Sequence, residues 1–457
     1  MMNKLLTRRE LLKGALAGGS FALLAACGTA PQAPAATEAP AATAVPAATE
    51  APAVVGQTGS TVEITYWGSF SGALGEAEQA MVNNFNSSQS DVKLNYEYQG
   101  SYEETAQKYA AALRAGTTPD VVLLSDVWWF GFYLAEAISP LDDLAAQAGI
   151  DFADYEPVLL NEGVRQGVHY WIPFARSTPL FYYNKEMWAE AGLPDRAPET
   201  WAEFGEWAPK LVSDKRVAFS HPNGASYVAW LFQGVTWQHG GQYSTPEFEM
   251  TMLDPNTVRA GNFYGETTNT LKWANLSADL NQDFIGGATA SMLASTGGLA
   301  GITKSAQFEV GVGFLPKETN FGCPTGGAGL AVPTATPDEK KLAAMQFIKF
   351  ATDENGSSTW SRSTGYMPVN LKAVKSAEMQ AFFAENPNFR TAVEQLPKTR
   401  AQDAARVFVP NGDQIIGRGL ERILVNGETA EKAFADVNKE LEEAAEPVLR
   451  DLQAREG

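Results

Sequence analysis

The chain is poor in cysteine, histidine and positive charge, and each shortage removes a class of function. Two cysteines, Cys27 and Cys323, in 457 residues leave no room for a disulfide framework. The fold must therefore hold itself together by its core, which a chain of this length can do. The three histidines, His169, His221 and His239, contain no pair at the i, i+4 spacing of a zinc-binding helix. Cations number 34 against 53 acids, a formal charge of −19. Binding phosphate backbones needs clustered cations, so nucleic acid is a poor partner. No apolar run reaches the roughly 18 residues of a membrane-spanning helix. A phosphate-cradling loop, a dinucleotide glycine fingerprint, a nucleophile elbow and a 20–50-residue repeat are likewise missing. Asp279-Leu280-Asn281-Gln282-Asp283 opens like a calcium loop. Phe284 then stands where glycine is required, and Ala290 where a glutamate should close the site. No metal and no cofactor is expected.

Apolar residues make up 45% of the chain and aromatics 11%, enough to bury substantial cores and too many for a disordered chain. The length exceeds what one core usually organises, so two lobes are expected.

The N-terminus reads as an address. Thr7-Arg8-Arg9-Glu10-Leu11-Leu12-Lys13 precedes a short apolar stretch, Gly14 to Ala26, that ends Leu24-Ala25-Ala26-Cys27-Gly28. A charged front and a short apolar core make a secretory signal, and the arginine pair points to the twin-arginine route. Small residues before a cysteine resemble the bacterial lipobox, which implies that residues 1–27 are a lipoprotein signal region in which Cys27 is diacylated on its thiol and becomes the first residue of the mature protein. Two or more acyl chains anchor stably, so the expected location is outside the cytoplasm, tethered to the cell membrane. Residues 28–60 form an Ala/Pro/Thr-rich spacer in which Pro-Ala-Ala-Thr recurs at Pro34, Pro40 and Pro46. With nothing large and apolar to bury, it is expected to be extended and to span ~30 Å.

From residue 61 the pattern is that of a globular α/β protein. Val62 to Trp67 and Val92 to Tyr98 alternate like strands, and Val121-Val122-Leu123-Leu124 is the continuous apolar run of a buried parallel strand. Helical stretches lie between them, from Leu74 to Asn86 and from Tyr102 to Arg114. Strand, helix, strand, helix, strand predicts a right-handed parallel unit whose ligand would sit beyond the carboxyl ends of its strands. A second set follows, with strands at Trp171–Ala175, Leu180–Asn184 and Val217–Ser220 and helices at Lys185–Ala191, Trp201–Leu211 and Tyr227–Trp237. A glycine-rich strand at Gly326–Val332 leads into a helix at Asp338–Ala351, and Glu428–Leu452 is a final helix. Trp67, Trp230, Tyr227 and Tyr366 lie near element ends beside Ser, Thr, Asp and Gly. That mixture suits a polyhydroxylated ligand, whose C–H faces pack on aromatic rings while its hydroxyls find polar partners.

Residues 61–450 resemble the solute-binding proteins of ABC importers, extracellular family one, and among them the sn-glycerol-3-phosphate-binding subgroup. The likeness rests on Ile64-Thr65-Tyr66-Trp67, on Tyr98-Gln99-Gly100-Ser101-Tyr102, and above all on Pro173 to Lys185, which is similar to the family's hinge-crossing signature. Ala294-Ser295-Thr296-Gly297, Gly326-Gly327-Ala328-Gly329 and Thr364-Gly365-Tyr366-Met367-Pro368 follow in the family's order. The resemblance implies the two-lobe periplasmic-binding-protein type II fold, closing on ligand about hinge crossings. Lobe one would comprise 61–176 plus 328–363, and lobe two 177–327 plus 364–457. It implies ligand contacts at Tyr102, Asp126, Ser177, Ser295, Gly327 and Tyr366, with Trp67, Tyr227 and Trp230 as further aromatic candidates.

Where the subgroup grips phosphate with an arginine, this chain places Asp413 or Gln414, with Arg418 a turn beyond and Arg176 as a candidate replacement cation. A carboxylate there repels phosphate, which favours a neutral ligand over glycerol 3-phosphate. The function implied is a monomeric, lipid-anchored, non-enzymatic receptor. It would capture a sugar, polyol or glycerophosphoryl compound and deliver it to the transmembrane subunits of an ABC permease. Its rivals are a secreted glycoside hydrolase using paired carboxylates and a surface adhesin with an incidental cleft.

Overall fold

The computed structural model describes residues 61–457. The signal segment, Cys27 and the spacer lie outside the described residues. Two five-stranded mixed sheets organise the chain. Sheet one is built from β1 (Val62–Gly68), β2 (Val92–Tyr98), β3 (Val121–Ser125), β4 (Ile172–Ser177) and β10 (Gly326–Ala331), in the order β2-β1-β3-β10-β4. Sheet two holds β5 (Pro179–Asn184), β6 (Val217–Pro222), β7 (Ala274–Ser277), β8 (Thr289–Ser295) and β9 (Val310–Gly313), in the order β9-β5-β8-β6-β7.

The first three strands are parallel, as the alternation of strand and helix requires. β10 joins β3 antiparallel and β4 pairs antiparallel with β10, so β10 alone runs against the other strands and the sheet is mixed, not purely parallel. Every residue of β3 is buried, which is why its apolar run shows no alternation. The stretch from Pro173 to Lys185 passes between the sheets: β4 ends at Ser177 in one and β5 begins at Pro179 in the other. The chain returns between β9 and β10.

Helices cover both sheets: α1 (Gly72–Ser88), α2 (Tyr102–Ala115), α3 (Trp129–Leu134), α4 (Trp201–Leu211), α5 (Ala225–Gln238), α6 (Pro255–Asn269), α7 (Asp338–Thr352), α8 (Glu354–Thr364), α9 (Ala404–Val407), α10 (Gly412–Asn426) and α11 (Ala430–Glu456). Local chemistry sets their ends. Ser101 caps α2 with a reciprocal capping box to Glu104, and Gly116 closes it in the left-handed conformation. The sequence-predicted helix and strand bounds agree with the structure to within a few residues. The helices and strands between residues 255 and 313 emerge only with the structure.

α11 joins the two halves of the molecule. Val437 and Leu441 bury into the sheet-two core with α10, whereas Val448 packs in the cluster of Trp129 and Tyr133. At its end Glu456 accepts two hydrogen bonds from Arg165, at 2.8 and 2.7 Å, and one from the Tyr133 hydroxyl at 2.9 Å. The Arg165 guanidinium holds the Glu456 carboxyl down, from its ordinary 4.5 to about 2. Glu456→Gln is expected to cost about 1–3 kcal/mol of stability at neutral pH, measured by denaturant unfolding. A depressed carboxyl contributes fully above its unfolded value, so the gap from wild type should persist down to about pH 4.5 and close as pH falls toward 2.

Candidate functional site

A cavity of about 340 Å³ opens where the loops of the two sheets meet. Sheet one contributes the start of α2, the turn after β3, Ser177 at the end of β4 and Gly327 on β10. From the other side come the first turn of α5, Ser295 at the end of β8, and the first turn of α10. Nine of the ten candidate residues line it: Tyr102, Asp126, Ser177, Tyr227, Trp230, Ser295, Gly327, Tyr366 and Asp413. Trp67 does not. Its indole N–H donates instead to Glu97 at 2.7 Å on the neighbouring strand, and Trp128 is the tryptophan that reaches the cavity from sheet one.

One wall is aromatic and layered. The hydroxyls of Tyr102 and Tyr366 lie 3.3 Å apart. Behind them Tyr366 stacks on Trp360 at 5.9 Å and 11°, and Phe70 packs against Tyr102, Tyr366 and Trp360 at 5.7–5.8 Å. Burial pushes the Tyr366 phenol up to about 12 and the Tyr102 phenol higher still, so both stay neutral donors at working pH. Opposite them, Tyr227 and Trp230 lie 5.6 Å apart on α5, one turn from each other. Trp230 is anchored by its N–H to the Thr325 carbonyl at 2.8 Å, and the Tyr227 hydroxyl accepts the Ser295 N–H at 2.8 Å. Their polar ends are engaged, so the ring faces are what they can offer a ligand.

The floor is charged. Asp126 follows β3, and its N–H donates to the Gly327 carbonyl at 3.0 Å. Its Oδ2 accepts Gln402 Nε2 at 2.6 Å and lies 3.7 Å from Arg406 Nη1. Arg406 also donates to Gln402. Its Nε is buried without a partner, as is the Ser125 hydroxyl. Among the described residues Arg406 is the one cation lining the cavity, against Asp126, Asp413 and the exposed Glu103. Gly327 fits this floor because its φ is +109° and a Cβ there would sit 2.0 Å from the Ala175 carbonyl oxygen.

The expected replacement cations lie elsewhere. Arg176 neither enters the cavity lining nor faces solvent. It is fully buried, donates to Glu162 at 2.5 Å and lies 4.9 Å over the Trp171 ring. Arg418 pairs with Glu440 at 2.5 Å, half-exposed on α10. Arg406 was missed because nothing in Ala404–Val407 distinguishes an inward arginine from a surface one. Gln414 reaches the cavity beside Asp413. Among the described residues no group of three His, Cys, Asp or Glu could hold a metal ion. Cys323 is buried and free, and burial raises its thiol, which makes it a poor nucleophile.

The family model described as bacterial extracellular solute-binding protein matches residues 80–391. The sn-glycerol-3-phosphate-binding periplasmic protein UgpB of Escherichia coli K12 is 26% identical over 414 residues, covering 83% of this chain and 92% of that one. The crystal structure of UgpB from Mycobacterium tuberculosis in complex with glycerophosphocholine is 42% identical. It superposes with a TM-score of 0.82 over 85% of this chain and 100% of that one. The GacH receptor of Streptomyces glaucescens, solved unliganded and with acarbose, shares the fold at a TM-score of 0.75 and 18% identity, over 84% and 98% of the two chains. The two sheets, the crossing at Ser177–Pro179 and the cavity between them are thus the architecture of sugar-binding periplasmic proteins, and the chain belongs to the bacterial extracellular solute-binding proteins.

Proposed function

We propose that this chain is the ligand receptor of an ABC importer and that its ligand is a glycerophosphodiester with a cationic head group. The observation that carries this reading is the charge balance of the cavity: among the described residues, a single arginine with three carboxylates, beside aromatic faces. A phosphodiester brings one negative charge, which Arg406 can match with its free N–H. Aromatic rings attract a quaternary ammonium through their negative faces, and Asp413 adds a counter-charge. Glycerol 3-phosphate, carrying about two negative charges at neutral pH, would meet more repulsion than attraction. The complex of the Mycobacterium tuberculosis relative with glycerophosphocholine supports the same class.

Binding would proceed by closure, not by chemistry. The two halves, divided near 176/177 and 327/328, with residues 364–457 assigned to the second, rotate about the crossings. Ligand favours the closed form because it touches both sides. Asp126 bonded to Gln402 and Arg406 across the cavity supplies part of that closed contact. The permease would then read the closed pair of lobes. Cys27 would carry the lipid that keeps this monomeric receptor at the outer face of the cell membrane.

Calorimetric titration of the protein, stripped of copurified ligand, tests the reading with glycerophosphocholine, glycerol 3-phosphate and neutral mono- and oligosaccharides. Glycerophosphocholine is expected to bind at micromolar strength, about −8 kcal/mol, at least tenfold tighter than glycerol 3-phosphate. A neutral sugar binding in its place would overturn the ligand class while leaving the receptor. Metabolic labelling with a fatty acid, lost in Cys27→Ala, tests the anchor.

A further inference from the structure

Behind the aromatic wall lies a carboxylate that a folded core has no simple reason to keep. Glu78, in the second turn of α1, has no exposure to solvent. It accepts the Tyr66 hydroxyl at 2.5 Å and the Tyr96 hydroxyl at 2.6 Å. Two donors, from β1 and β2, thus converge on one acid carried by α1. The nest is tight: a Cβ at Gly68 would meet Tyr96 at 2.5 Å and the Glu78 carboxylate at 2.6 Å.

The turn that Glu78 ties down, Gly68 to Ser71, carries Phe70. That ring touches both cleft tyrosines, at 5.8 Å from Tyr102 and 5.8 Å from Tyr366, and Trp360 behind them. A buried carboxylate is costly, and an apolar residue would fill the space at less cost. What the carboxylate does that an apolar side chain cannot is tie α1 to two strands by directional bonds.

We propose that Glu78 is a positioning residue of the ligand site, which by binding Tyr66 and Tyr96 and packing against Gly68 sets the turn that carries the Phe70 ring and, through it, the Tyr102–Tyr366 wall. The inference rests on reading the cavity as the ligand site. It implies that ligand affinity depends on the charge of a group the ligand never touches. Burial raises the Glu78 carboxyl from its ordinary 4.5 to about 7, offset in part by its hydrogen bonds to Tyr66 and Tyr96. Protonation puts a proton on one carboxylate oxygen, so the Tyr66 and Tyr96 hydroxyls no longer both donate to charged oxygens, one of them must turn to accept, the wall loosens, and affinity falls as pH drops from 8 to 6. Among the described residues the titratable groups facing Glu78 are Tyr66 from β1, Tyr96 from β2 and, further off, Tyr366 of the cleft wall, all pushed up by burial and neutral throughout this range. From α7, Phe347 packs on Tyr66 at 5.1 Å, and α8 presents Trp360 to Phe70. Among the described residues no cation pairs with the carboxylate.

The test compares wild type, Glu78→Gln and Tyr96→Phe. Glycerophosphocholine titrations from pH 6 to 8 are combined with thermal unfolding and with the amide resonances of Phe70 and Tyr366. A carboxyl raised on folding opposes the folded state as pH rises from 4.5 through 7. Glu78→Gln at pH 8 should therefore unfold no earlier than wild type, yet bind about tenfold more weakly, with its pH dependence flattened. A merely structural role would move stability and affinity together. In wild type the Phe70 and Tyr366 amides should titrate near neutrality, and in Glu78→Gln they should not. Unchanged affinity and pH slope in a folded Glu78→Gln would overturn the proposal, as would wild-type amides that stay still from pH 6 to 8. Should glycerophosphocholine fail to bind wild type, the ligand reading fails, and the amide titrations still decide the role of Glu78. Should Glu78→Gln not fold, Tyr96→Phe decides. Losing one donor to the carboxylate should move the titration midpoint upward, and an unmoved midpoint counts against the proposal.

Discussion

Arg406→Ala is expected to weaken glycerophosphocholine binding by about a hundredfold or more, which is about 2.7 kcal/mol. Arg406 is 4% exposed and, among the described residues, supplies the one positive charge lining the cavity. Its Nε lacks any protein partner, whereas Nη1 is shared between Gln402 and Asp126. A buried guanidinium with a free N–H offers a charge-assisted bond to a phosphodiester oxygen, and truncating one partner of such a pair typically costs 2–5 kcal/mol. Part of that loss comes from Asp126, which would face the phosphate with only Gln402 to screen it. Arg406→Lys keeps the charge but not the planar fork, so it should recover some affinity but not all. Titration calorimetry on both variants, with circular dichroism to establish folding, reads the outcome. If Arg406→Ala binds as wild type does, the phosphodiester reading is wrong and a neutral polyol is the better candidate.

The second large effect concerns the floor itself. Gly327→Ala is expected to destabilise the protein by about 3 kcal/mol or more. Its φ of +109° is one that L side chains rarely adopt, and the new Cβ would lie 2.0 Å from the Ala175 carbonyl oxygen. That oxygen is backbone on the neighbouring strand β4, so no side-chain rotation relieves the clash. β10 and β4 would have to separate where Gly327 pairs with Arg176. The Gly327 carbonyl also holds the Asp126 N–H, so residual folded protein should bind ligand less tightly too. Gly131→Ala is the control. A Cβ there meets nothing within 4 Å and alanine suits a helix, so denaturant unfolding should show no loss. A Gly327→Ala variant as stable as wild type would mean that the strand pair tolerates opening at this point.

Much of this molecule was legible before any coordinates. β1, β2 and α1 through α2 announce themselves by period, and β3 by its lack of one, because a strand buried on both faces has no polar side to alternate. The residues on tight backbone or at element starts were also within reach. Tyr102 follows a capping serine, Gly327 sits in a glycine run, and Tyr366 follows Gly365, a helix stop with φ of +106°. Such positions leave a local mark because turns and caps are local chemistry. Side-chain direction leaves none. Trp67 and Trp128 look alike in sequence, but the first lies across Glu97 and the second lines the cavity.

Cations were the hardest to place, for the same reason. Arg176, Arg406 and Arg418 all stand near segments that the family resemblance brings to the cleft, and charge alone does not rank them. Their partners do: Glu162 takes the first into the core, Glu440 holds the third on the surface, and Asp126 with Gln402 draws the second to the cavity floor. Each of these partners except Gln402 is fourteen or more residues away. What the sequence determined by itself was therefore most of the elements before residue 238 and the polar, aromatic character of the site, because propensity, period and turn chemistry act over a few residues. The crossing at Ser177–Pro179 was legible only through the family resemblance of Pro173 to Lys185. Which arginine and which tryptophan line the cavity, and that a buried Glu78 lies behind its aromatic wall, were decided only by tertiary contact, where burial and ion pairing between distant segments overrule local order.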